Sequence, residues 1–228
     1  APMFANLSSF AWNRVASGRP KVGLACLLQI GILLCVLAVA IAPINELGAI
    51  VLVASMIVSR ILVAGLVTVR SVIWSLNYAR SKRAQATGQL QMIASLVTVI
   101  IASIVGPILD RHPDGMPWLY VMGVATGLIG IGLFRRVTVI GESEHIRKES
   151  EANNQRQQSV SFTTILRQDR RFAKYQMSMF AAGFGNMLIE APLILLITRE
   201  LAASYSTSIA LTMVIPFTIS LMSLPLWA

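Results

Sequence analysis

The run VGLACLLQIGILLCVLAVAIA occupies residues 22–42 without one charged side chain. Wound as a helix at ~1.5 Å per residue, it covers ~30 Å, the thickness of a bilayer's hydrocarbon core. Five more runs of similar length follow, at 47–69, 90–109, 117–134, 175–198 and 206–227. The segments joining them alternate in charge. Arg14, Arg19 and Lys21 precede the first run, and Arg80, Lys82 and Arg83 separate the second from the third. Nine of the 19 Lys and Arg lie between Arg135 and Lys174. The other connections hold only Arg111 and Arg199. Cytoplasmic loops carry the excess of Lys and Arg, so the basic side is expected in the cytoplasm. The reading is an all-α polytopic membrane helix bundle with six spans, in a cell (plasma or inner) membrane.

Composition agrees. Hydrophobic residues make up 55% and charged residues 13%, about half the charge of a soluble domain. The net charge of +9 sits in the loops, where it sets topology and can hold anionic lipid head groups. Without a basic face interleaved with aromatic side chains, nucleic-acid binding is not expected. Cys26 and Cys35 lie nine residues apart on one helix, roughly 13 Å, which is too far to pair. His112 and His145 fall in opposite loops, so neither a metal site nor a cofactor is expected. Nothing pairs a nucleophile with a base or cradles a phosphate, so the chain does not read as an enzyme.

Between the fourth and fifth spans, residues 141–158 are polar and rich in Glu, Gln and Asn. They read as a flexible linker. Phe162, Ile165 and Leu166, followed by Arg167, Arg170 and Arg171, suit either a short interfacial helix or a solvated basic segment. Small residues recur at helical spacing at Ala94, Thr98, Ala102 and Gly106, and at Gly123, Gly127 and Gly130. Such faces let membrane helices approach closely. Arg70, Trp74 and Tyr78, spaced four apart at the basic end of the second span, read as interfacial anchors. Pro107, Pro192 and Pro216 can kink their helices.

Two ionisable groups lie inside spans. Arg60 is roughly 20 Å from the less basic surface and Glu190 roughly 12 Å. Each costs several kcal/mol against lipid, so both are expected to face the bundle interior or a wet cavity. Gly183, Asn186 and Glu190 form one small, polar stripe. A buried carboxyl has a raised pKa, so Glu190 can exchange a proton. Arg60, Asn186 and Glu190 are therefore the transport-pathway candidates, and the difference in depth argues against a direct Arg60–Glu190 pair.

Four spans, a long basic linker and further spans resemble the middle of the major facilitator superfamily, helices three to eight of twelve. Arg60 followed by Gly65 resembles that family's fourth-helix signature. Gly106-Pro107 resembles the Gly-Pro pair in the fifth helix of its proton-driven drug exporters. Asn13-Arg14 and Gly18-Arg19-Pro20-Lys21 resemble its loop between helices two and three. Ala1-Pro2-Met3-Phe4-Ala5 is similar to Leu224-Pro225-Leu226-Trp227-Ala228, and six spans lie between the copies, as in the family's parallel repeat. The resemblance implies that residues 1–136 are most of one transmembrane half, 137–173 the linker and 174–228 the start of the second half. Residues 1–11 then read as the tail of a span that begins upstream. It also implies secondary active transport of a small solute by alternating access, with Gly65, Gly106, Pro107 and Gly183 in packing or gating roles. The alternative is a membrane-embedded receptor or scaffold built on the same fold.

Overall fold

A computed structural model describes residues 9–155 and 167–227. Among these residues the chain is built from helices and their connections. A short α1, Ser9–Ala16, leads into α2, Lys21–Ala40. The turn after α2 ends at Asn45, whose side chain accepts from the Gly48 N–H at 2.9 Å and caps α3, Glu46–Asn77. At 32 residues, α3 is ~48 Å long. Its last turn is closed by Arg83, which donates to the Ser75 carbonyl at 2.7 Å and the Tyr78 carbonyl at 2.9 Å. A cation suits the negative end of a helix. Helix α4 is Arg83–Arg111 and α5 is Met116–Phe134. Asn77 then bridges to the chain beyond α5, donating to the Thr138 carbonyl at 3.1 Å and accepting from the Ile140 N–H at 3.0 Å.

The linker departs from expectation. Glu142–Gln155 is a helix, α6, not a flexible segment. Gly141, at φ +69°, turns the chain into it, a conformation open to glycine at little cost. Glu142 and Glu144 stand in the first turn, where acids are favoured. Ion pairs at i, i+4 join Glu144 to Lys148 at 2.7 Å and Arg147 to Glu151 at 3.7 Å. Polarity alone suggested disorder, but these pairs and a docked inner face hold the helix. Residues 162, 165 and 166, proposed for an interfacial helix, lie outside the described residues. So do residues 1–8 and 228, and with them the terminal repeat.

Helix α7, Arg170–Leu195, starts at Asp169, whose carboxylate accepts from the Arg171 and Phe172 N–H groups at 3.0 Å. A π-helical turn, Leu196–Glu200, follows. After the short α8, Tyr205–Ile209, comes a second π turn, Ala210–Val214, and then α9, Ile215–Trp227. Among the described residues, five helices are long and apolar enough to cross a membrane. Helix α7, at 26 residues, has the length to span as well, and several of its side chains, Glu190 among them, lie outside the described residues. The last span takes in α8, the second π turn and most of α9, as Tyr205–Ser223.

Packing divides the bundle. Helix α2 packs on α3 and α5, and α1 lies on α3. Ala16, Leu24, Ala25, Leu28, Leu66, Val69 and Ile73 form the buried core there, flanked by Trp12 and Phe134. Trp12 donates from its indole to the Ile61 carbonyl at 3.0 Å. Trp12→Phe removes that bond and is expected to cost about 1 kcal/mol. Thermal unfolding in detergent checks it, and an unchanged midpoint would show that the bond contributes nothing. Helix α4 packs instead on α8, the second π turn and α9.

Candidate functional site

Arg60 lies near the middle of α3, on an exposed face with Val53, Met56, Val67 and Ser71. It has no hydrogen-bond or ion-pair partner among the described residues. The interior position expected for it is therefore not supplied by these helices. Gly65, one turn further on, is covered by Trp12: a Cβ there would lie 2.7 Å from the indole ring. Trp74 and Tyr78 form a tilted ring pair at 5.7 Å. Arg70 lies over the Phe134 ring at 5.9 Å, within range of a cation–π contact. Its buried Nε has no hydrogen-bond partner.

On α7, Asn186 is exposed and Gly183 half-buried. The helix carries Glu190 along the same stripe, but the Glu190 side chain lies outside the described residues. No hydrogen bond joins Arg60 to Asn186. Beside the stripe, Leu188, Ile189, Pro192, Leu193 and Leu196 line a shallow apolar groove.

The seam along α4 is better defined. Ser95, Ala102, Gly106 and Leu109 are the buried residues of α4. The packing face is thus rotated from the expected one, since Ala94 is exposed. At Gly106 the two backbones meet, because a Cβ there would be 2.9 Å from the Ser206 Cα. Helix α4 continues through Pro107. One turn beyond Gly106, Asp110 accepts from the Ser206 N–H at 3.2 Å and from the Ser206 hydroxyl. Of the glycines in α5, Gly127 packs on Leu33, whereas Gly123 and Gly130 meet nothing within 4 Å.

At the opposite, basic end, α6 is clasped to the loop before α2. Lys21 is fully buried. Its ammonium donates to the Ala16 carbonyl and to Glu149, both at 2.6 Å, and its backbone N–H donates to Glu142 at 2.6 Å. Gly18, at φ +73°, aims its N–H at Glu149 at 3.0 Å, and His145 lies 3.1 Å from the same carboxylate. Burial alone would raise the Glu149 carboxyl. The hydrogen bonds from Lys21 and Gly18, and the charges of Lys21 and His145, outweigh it and hold the group below its ordinary range.

Trp12, Asp110, Ser206 and Glu149 were not candidates from sequence. Trp12 faces a glycine 53 positions away, Asp110 a serine 96 away, and Glu149 a lysine 128 away. No spacing rule signals such contacts. The profile of one family, the Major Facilitator Superfamily, matches residues 3–228. No curated protein and no solved structure matches the chain.

Proposed function

The chain belongs to the major facilitator superfamily, and from that premise we propose that this multi-pass membrane protein moves a small solute by alternating access. One six-helix half rocks against the other around a central site. Residues 1–136 belong to the first half, 137–173 connect the halves, and 174–228 open the second. The basic face is cytoplasmic.

The observation that supports this reading best is the α4 seam. It joins a helix before the linker to helices after it, through a glycine, a serine and one carboxylate. The exposed face of α3 then borders the cavity, which explains why Arg60 is unpartnered among these helices. At that depth an arginine against lipid costs about 2.5–3.5 kcal/mol on translocon scales. Asn186 and Glu190 approach the cavity from the second half, and Glu190 carries the proton if transport is coupled to one.

Reconstitution of the intact protein in vesicles tests this, with a panel of candidate solutes and an imposed pH gradient. Glu190→Gln is expected to abolish gradient-driven uptake while leaving expression and solute exchange in place. Unchanged coupling would rule Glu190 out as the proton site. Solute binding with no uptake under any gradient would favour the receptor reading.

A further inference from the structure

The Asp110–Ser206 contact sits in an unusual setting. The segment it grips, α8, is only five residues long. It is bracketed by the π turns Leu196–Glu200 and Ala210–Val214, and the connection before it contains Ala202 at φ +43°. In a π turn the N–H reaches back five residues instead of four, as from Leu201 to the Leu196 carbonyl at 3.0 Å. Register can pass between α and π there while backbone hydrogen bonds are kept, and π turns are frequent at functional sites. Pro216 keeps the second π turn from annealing into a straight helix. It has no N–H to return to the Thr212 carbonyl, and its ring crowds that carbonyl.

Against these adjustable turns, the grip on α8 is specific. Asp110 takes both the backbone N–H and the hydroxyl of Ser206. One turn away, Gly106 permits direct backbone contact with the same residue. Ser204 completes the turn by accepting from the Thr207 N–H at 3.2 Å. All of this lies at the end of the bundle opposite the Lys21 clasp.

We propose that Asp110 is a positioning residue that latches the two halves shut at the face opposite the linker, and that the π-flanked segment 196–214 is the hinge that moves when it releases. This rests on the alternating-access reading, in which that face must open once per cycle. Asp110 does not contact the solute. It sets how often the face is closed.

The test uses the intact protein with both free cysteines replaced, as Cys26→Ala and Cys35→Ala, and a reporter thiol from Leu109→Cys. Leu109 is 5% exposed and adjoins the latch. A membrane-impermeant maleimide is applied from the Asp110 side. Labelling is expected to be slow with Asp110 present, at least tenfold faster in Asp110→Asn, and restored toward slow in Asp110→Glu. Ser206→Ala, which removes only the hydroxyl, should accelerate it about threefold and covers the case in which Asp110→Asn does not fold. Rates within twofold of the parent in every folded variant would overturn the latch. Separately, a short bifunctional maleimide across Asp110→Cys and Ser206→Cys should stop uptake. Full uptake after cross-linking would overturn the gate. If the parent shows no uptake of any solute, the transport reading fails, while the labelling rates still decide the latch.

Discussion

Glu149→Ala is expected to destabilise the protein by about 3 kcal/mol. Breaking one side of a buried ion pair typically costs about 3–5 kcal/mol, because the remaining charge is left without a partner. Here the remaining charge is the Lys21 ammonium, whose other hydrogen bond goes to the Ala16 carbonyl. The Gly18 N–H loses its acceptor as well. Glu149 itself is 24% exposed, which places the loss at the lower end of that range. For a chain of this size each kcal/mol moves the melting midpoint by roughly 2–4 °C, so a fall of about 6–12 °C is expected. The double variant Lys21→Met with Glu149→Ala should recover much of it, since it removes the stranded charge. A single-variant loss under about 1 kcal/mol would mean that water reaches Lys21. The pH dependence has a definite sign. Glu149 titrates below its ordinary range in the folded chain. Its contribution is therefore present above the unfolded carboxylate range and is lost as the pH falls through the lower native value. Glu149→Gln should flatten that acid limb of the stability profile.

Gly106→Val is expected to open the α4 seam. The nearest obstacle to its Cβ is the Ser206 Cα at 2.9 Å, which is backbone and cannot swing aside like the end of a side chain. Helix α8 has to move, and overpacking of this kind costs about 1–3 kcal/mol. The displacement also pulls Ser206 from Asp110, so thiol labelling at position 109 should rise with the loss of stability. Gly123→Ala serves as the control, since nothing lies within 4 Å of that site. Helix propensity makes it neutral or slightly stabilising. Equal effects from the two substitutions would show that the seam is not a tight contact.

Span placement was legible because a membrane imposes it: a helix of fixed length must be apolar, and Lys and Arg mark one side. The interior of the bundle was less legible. Ala94 and Ala102 carry equal small-residue signals, yet Ala102 is buried and Ala94 is exposed, because the partner helix decides which face is used. Residues 142–155 looked too polar to fold, and alone they bury almost nothing. Their order comes from i, i+4 charges and from Lys21, far away in sequence. Lys21 itself counted as one more loop cation, since a buried lysine and a solvated one have the same letter.

The length of α3 carries a mechanical consequence. A rod of ~48 Å exceeds the ~30 Å hydrocarbon core by about three turns. Its far end, Asn77, grips the chain at Thr138 and Ile140, immediately ahead of the clasped α6. Arg60 lies near the midpoint of the same rod. A tilt of ~10° would carry one end ~8 Å relative to the other. A rotation of the rod about the level of Arg60 would therefore displace Asn77 and, through its two hydrogen bonds, the chain at Thr138 and Ile140.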